Sequence, residues 1–524
     1  MGEKHLQFSL CDVSAGRASV ASDKMRSLRL LLCACIVAGA LVGTVQMTVA
    51  AAADRVLVLD RDGRVHARVD RALLPVFELP PPTAGVAATA RVAARAPRAR
   101  TVRSELKRLL RTGAIDAATA ARERSAFDEA IRTARRLSGT RRNELQAVID
   151  NLHEIAARGQ LTAARLPVLF ATLERNRQWW TRGSLLGSGQ RVEFSDSELV
   201  WEYYPGEGIE LQVLGTFGKA NGLWSAGSDD ELRALLDEML SLASQRGGAL
   251  AWEYLFDFGS GAPPWASGMA QATGIQALAR AGQRLGNPVY IEAARNALKL
   301  FSLAPPVGVR VSSPVGARYL LYSFAPSQIV VNASVQTLVA LRDYAAITSS
   351  PAAERLFRAG DRQARLDVRA GDTGAWSLYQ LGGAESDLSY HELLTGFLRN
   401  LCDRTDVAVY CTTAQAFAQD LREPPTLELL TRRLRARRLA LVRFQLSKVS
   451  RVGMTIRREQ DGKVVLATSA SVSRGAHAYG WTVPAAPGTY DVTLTGTDLA
   501  GNVGRADGTI EVLPARRVGR RPRL

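Results

Sequence analysis

The chain has 524 residues, enough for several domains with separate cores. Hydrophobic residues make up 47% and charged residues 22%, which excludes a wholly disordered chain. A net charge of +17, from 67 Lys+Arg against 50 Asp+Glu, favours a polyanionic partner: nucleic acid, anionic lipid or acidic polysaccharide. The plain alternative is Arg spread over solvated helix faces.

In chain order, the first informative segment is Leu28–Ala53, an apolar run preceded by Arg26 and closed by Ala51-Ala52-Ala53. This is the layout of a secretory signal peptide, with Met25 an alternative start. The run is nearly long enough to cross a bilayer, so an uncleaved anchor is the alternative. Either way the chain is expected to be secreted or held in the cell envelope. Acidic polysaccharide then becomes the expected partner, nucleic acid is not expected, and membrane contact would come only through a retained signal. Cys11, Cys33 and Cys35 lie in or before this segment, leaving Cys402 and Cys411. In an oxidising compartment that pair predicts one short-loop disulfide, the alternative being two buried thiols. His391 is the histidine near them in sequence, too few ligands for zinc, so no metal is expected.

Residues 54–100 read as a short hairpin turning at Asp62-Gly63, then a Pro/Ala/Arg linker. Residues 101–180 carry apolar residues at three-and-four spacing and predict packing helices, with Gly113, Gly139 and Gly159 as stops. Ser228 to Glu231 predicts a capping box before the helix ELRALLDEMLSLASQR. Paired helices through residues 181–425, joined by loops rich in Gly and aromatics, fit an α/α toroid-like barrel. Over 436–514, short alternating strands separated by Asp461-Gly462, Gly475, Pro487-Gly488 and Asp507-Gly508 predict an all-β immunoglobulin-like sandwich. Its GTYDVTLTGTDLAGN stretch is similar to small FlgD-type and bacterial Ig-like modules. A basic tail, 515–524, closes a chain that is mainly α, then all β.

Five segments in order carry a more specific resemblance. They are WEYYPGEGIELQVLGTFGKANGLW at Trp201–Trp224, PWASGMAQATGIQALARA at Pro264–Ala281, YSFAPSQIVVNASVQTLVALRDY at Tyr322–Tyr344, GAWSLYQL at Gly374–Leu381 and LSYHELLTGFLRNL at Leu388–Leu401. Together they resemble the C-terminal domain of D-glucuronyl C5-epimerases. Such an enzyme removes the proton at C5 of a uronate and returns it to the opposite face. The site needs proton-transfer groups on both faces and donors or cations at the carboxylate.

The resemblance implies Tyr379 and Tyr390 as catalytic tyrosines, Tyr322 as the tyrosine of the family's E-Y-P, and His391 as a neighbour that orients Tyr390 or shares its proton. Lys219, Arg318 and Arg280 are candidate carboxylate clamps. Asn221, Gln271 and Asn332 are candidates for sugar hydroxyls, and Trp265 and Tyr204, with Trp201, Tyr203 and Trp252, for stacking on pyranose faces. Against each stands an ordinary structural role: capping and packing for Tyr390-His391, satisfied buried amides, solvated cations. No cofactor is implied. Two positions depart from the family: Leu321 stands where animal enzymes carry a glutamate base, and Gly382-Gly383 where they carry Arg-His. Glu385, Asp387 and His391 are the candidate replacements for the glutamate. A polysaccharide lyase shares the same first step. A hydrolase would need paired carboxylates such as Glu253/Asp257 or Glu385/Asp387. A non-catalytic glycan-binding envelope protein needs none of these.

Overall fold

The computed structural model describes residues 55–69 and 100–515. The signal segment, the Pro/Ala/Arg linker and the basic tail lie outside the described residues. The expected hairpin is present: β1 (Arg55–Leu59) pairs antiparallel with β2 (Val65–Val69), and Gly63 turns between them with φ +84°. It does not stand alone. β1 also pairs in parallel with β3 (Arg191–Phe194), which continues through β4 (Trp201–Tyr204) to β5 (Gly208–Leu211) in one five-stranded sheet.

Among the described residues between them lie four α-helices: α1 (Val102–Arg111), α2 (Ala117–Arg136), α3 (Gly139–Ala157) and α4 (Leu166–Arg182). Gly113 and Gly159 follow helix ends at positive φ as expected, but Gly139 opens α3 instead of stopping α2. Leu137, in extended conformation, caps α2, because Ser138 already serves as the N-cap of the next helix.

Eight further helices form two layers. Those of one layer, α5 (Val213–Ala226), α7 (Gly268–Leu285), α9 (Val331–Thr348) and α11 (Leu388–Thr405), pack successively on each other. Each is backed by its sequence neighbour: α6 (Asp229–Ser241), α8 (Pro288–Leu298), α10 (Pro351–Ala370) and α12 (Ala408–Asp420). The inner helices are small-residue and apolar almost all round, whereas α10 keeps a polar outer face. Gly274 shows why: a Cβ there would sit 2.6 Å from the Phe217 ring, so only glycine lets α7 close on α5. The predicted capping box at Ser228 does not form. Its side chain makes no cap hydrogen bond, and Asp229 and Asp230 complement the helix N-terminus by charge instead.

Cys402 and Cys411 form the expected disulfide, joining α11 to α12. No described helix is long and apolar enough to cross a membrane.

Two short hairpins, β6 (Ser244–Arg246) with β7 (Ala249–Ala251) and β8 (Arg310–Ser312) with β9 (Ala317–Tyr319), lie between helices of these layers. The C-terminal region is all β. A three-stranded sheet holds β10 (Leu427–Leu429), β12 (Leu439–Leu446) and β15 (Gly475–Thr482). A five-stranded sheet runs β11 (Arg433–Arg435), β17 (Val503–Leu513), β16 (Gly488–Asp498), β13 (Ser450–Arg458), β14 (Val464–Val472). Alternating residues of both sheets, among them Phe444, Met454, Trp481 and Val492, share one core.

Candidate functional site

The phenols forecast from sequence meet in space. Tyr322 lies in the loop before α9, Tyr379 in the loop before α11, and Tyr390 in the first turn of α11, where Asp387 caps the helix by accepting from the Tyr390 N–H at 2.8 Å. The rings of Tyr379 and Tyr390 stand edge to face, 5.0 Å between centroids. The phenol of Tyr322 faces that of Tyr379. A short antiparallel bridge from Ser267 to Tyr322 ties this loop to the start of α7. Gly268 allows it, since a Cβ there would lie 2.3 Å from the Leu320 carbonyl oxygen.

An aromatic wall backs the phenols. Trp265 stacks on Tyr254 at 4.2 Å and meets Tyr322 edge-on at 5.8 Å, and its indole N–H donates to the Phe256 carbonyl at 2.9 Å. Tyr322 stacks on Phe324 at 5.2 Å. Tyr204 packs on Phe256, and its hydroxyl accepts from Gln212 at 3.0 Å. The Tyr254 hydroxyl donates to the same Gln212 at 3.2 Å. Burial pushes the pKa of Tyr204, Tyr254, Tyr322, Tyr379 and Tyr390 above the ordinary phenol value.

Sequence reasoning overlooked the acid of this cluster. Glu202, buried in β4, interacts with the Tyr204 hydroxyl, and its charge also raises the pKa of Tyr254 and Tyr390. Its Oε2 lies 3.7 Å from Nε of the buried Arg191, its register partner on β3. The signal was strand alternation in WEYY. Trp201 and Tyr203 point to the helical side, Tyr203 donating to Glu144 at 2.9 Å and meeting Trp180 edge-on. Glu202 and Tyr204 therefore share the other face. Trp201, Tyr203 and Trp252 are core residues, and the last donates its indole N–H to the Met239 carbonyl.

Several other candidates are committed elsewhere. His391 is fully buried, stacked on Trp376 at 3.7 Å, with Nδ1 accepting from the Ser377 N–H and Nε2 facing the Phe417 carbonyl at 3.1 Å. Both ring nitrogens hold the loop to α12, so the expected proton sharing with Tyr390 is not seen. Burial lowers its pKa to about 4. Lys219 is buried between Glu193 and Glu198 at 3.1 and 2.9 Å. Arg318 is bidentate to Asp367, both contacts at 2.7 Å, binding β9 (Ala317–Tyr319) to α10. Neither is an open clamp. Gln271 donates to the Leu250 and Ala297 carbonyls. Asn221 accepts from Arg280 at 2.8 Å, away from the phenols in a separate cavity. Of the three candidate amides, Asn332 adjoins the cluster: its Nδ2 donates to the Tyr390 carbonyl at 3.1 Å, and its buried Oδ1 has no hydrogen-bond partner.

The candidate replacements for the missing glutamate fail likewise. Leu321 is core. Glu385 accepts from the backbone N–H groups of Val449 and Arg474 in the β region, and Asp387 is the helix cap. Of the hydrolase pairs, Glu253 is held by Arg165, Arg246 and Ser244. No group of three or more metal-binding side chains occurs among the described residues.

Residues 246–419 match the family model described as D-glucuronyl C5-epimerase C-terminus, and this segment carries Tyr322, Tyr379 and Tyr390. No curated protein matches the chain. Among solved structures the chain is similar to the endo-β-1,4-glucanase CMCax from Acetobacter xylinum, at 15% identity and TM-score 0.29, over 38% of this chain and 67% of that one. A GH76 α-mannanase from Bacteroides thetaiotaomicron is similar at 14% identity and TM-score 0.31, over 40% and 59%. A D-mannose isomerase is similar at 11% identity and TM-score 0.30, over 54% and 74%. Likeness at that level assigns no activity.

Proposed function

We propose, taking the family match over residues 246–419 as premise, that this is an exported protein that modifies uronic-acid residues of an acidic polysaccharide by moving the proton at C5. The helical layers are read as an α/α toroid-like barrel with this site at one end, and the β region as an immunoglobulin-like attachment module. The observation that carries the reading is the convergence of Tyr322, Tyr379 and Tyr390 on one locus.

Raised pKa values define the division of labour. At neutral pH each phenol keeps its proton and suits the acid role; a carboxylate is the better base. Glu202 therefore stands in for the glutamate that Leu321 replaces. The C5–H bond breaks, its proton passes to Glu202, and its electron pair delocalises into the uronate carboxylate. A phenol then protonates C5 from the opposite face, and solvent restores both groups. Arg191, 3.7 Å from Glu202, would supply a cation for the carboxylate, and Asn332 Oδ1 an acceptor for a sugar hydroxyl.

A second reading, non-catalytic glycan binding, is favoured by Leu321 and by the burial of the phenols. One experiment separates them: the full chain with uronic-acid polymers in heavy water, followed by nuclear magnetic resonance. Deuterium at C5, lost in Tyr390→Phe, supports proton transfer. Binding without deuterium uptake overturns it, and an ultraviolet-absorbing unsaturated product reassigns the chain as a lyase.

A further inference from the structure

A cavity of about 610 Å³ opens among α5, α7, α9 and α11, apart from the phenols. Its floor includes Leu214, whose N–H donates to the Tyr254 hydroxyl at 3.2 Å, and its mouth lies at the last turns of the helices, around Trp224, Ser225 and Arg404. The phenol cluster sits at the opposite, N-terminal ends of the same helices. The volume falls within the roughly 300–1,000 Å³ of small-molecule sites.

Its chemistry is selective. Arg280 and Arg404 are the charged residues lining it, and both pair with the single carboxylate of Asp343, Arg280 at 2.7 Å. That arrangement sets two guanidinium groups against one carboxylate, an excess of one positive charge among these three residues. Burial pushes the Arg280 pKa down, Asp343 works against this, and Arg404 adds to it, so a bound anion would relieve the guanidinium. The walls between carry Asn221, Thr273, Gln276 and Gln336, all buried, the amides and hydroxyl that suit a polyol. Trp224, with Arg280 4.8 Å over its ring, and Met269 supply an apolar flank.

We infer that this cavity is a second ligand site, for a monosaccharide-sized polyhydroxy monocarboxylate whose carboxylate meets Arg280 and Arg404. One excess charge suits a monoanion better than a phosphomonoester, and the polar wall suits hydroxyls better than an alkyl chain. The inference does not depend on chemistry at the phenols.

The test is calorimetric titration of the full chain with glucuronate, glucose, acetate and glucose 1-phosphate. Glucuronate should bind saturably and at least about ten-fold more tightly than the other three, since each lacks one recognised feature or carries the wrong charge. Arg404→Met should weaken it by a similar factor. Ser225→Phe, an exposed position at the mouth, should block entry without touching the packed interior. Tyr390→Phe should leave this binding unchanged. Absence of saturable glucuronate binding, equal binding of glucose or of the phosphate, or loss of binding in Tyr390→Phe but not in Ser225→Phe would overturn the inference. None of these outcomes bears on deuterium uptake at C5.

Discussion

Burial raises the pKa of Tyr322, Tyr379 and Tyr390 together, so in the proposed reaction the three phenols serve as proton donors and the basic role falls to Glu202. Glu202→Gln should therefore lower the rate of deuterium uptake by roughly 10²–10⁴, the usual worth of a general base, while polymer binding survives. An unchanged rate in Glu202→Gln would return the base to a phenol. His391 makes a separate prediction. Its folded pKa, lowered to about 4 from 6.5, means that the fold favours the neutral ring. The stability this provides is complete above about pH 6.5 and is lost as pH falls toward 4, on the order of 3 kcal/mol in all. Thermal melts should show the wild type losing stability over that window and His391→Gln losing less. The phenols were legible because short motifs named them. The roles of His391, Lys219 and Arg318 were not, because their partners, such as Asp367 for Arg318, lie in segments that no local pattern links to them.

Hydrophobic periodicity made the helices readable, and turn residues made the strands readable. What failed were signals that two neighbouring elements compete for. Gly139 looks like a helix stop, yet α2 and α3 nearly abut, and the glycine serves the start of the second. Ser228 to Glu231 has the residues of a capping box, but the backbone at Ser228, with ψ near 75°, departs from the extended cap conformation, and its side chain makes no cap hydrogen bond. The disulfide was legible from the cysteine count and the expectation of an oxidising compartment, and it acts on an element pair that matters. It links the far end of α11, the helix that opens with Tyr390, to α12. For a loop this short, chain entropy predicts that Cys402→Ser lowers unfolding free energy by about 2–3 kcal/mol. Denaturant titration under non-reducing conditions would show it, and under reducing conditions the two proteins should converge.

The joining of elements across the whole chain was the least readable level. The parallel pairing of β1 with β3 spans segments more than a hundred residues apart, and nothing local announces it. The seam between helical and β regions is likewise a long-range construction. Lys448, 1% exposed, pairs with Asp498 at 2.7 Å, donates to the Asp420 carbonyl at the end of α12, and lies 5.3 Å over the Trp376 ring. Trp376 in turn stacks on His391 and donates to the Ser386 carbonyl at 2.9 Å, which fixes the loop bearing Tyr379. The β region thus buttresses the candidate site through this ammonium group, beside the Val449 and Arg474 N–H groups that donate to Glu385. Lys448→Met strands the Asp498 carboxylate, at a cost of about 3–5 kcal/mol for a broken buried pair. Because the same ammonium touches both regions, hydrogen exchange should quicken around Trp376–Ser386 as well as in β13 and β16. Faster exchange confined to the strands would mean that the Lys448 ammonium holds the strands without supporting the site.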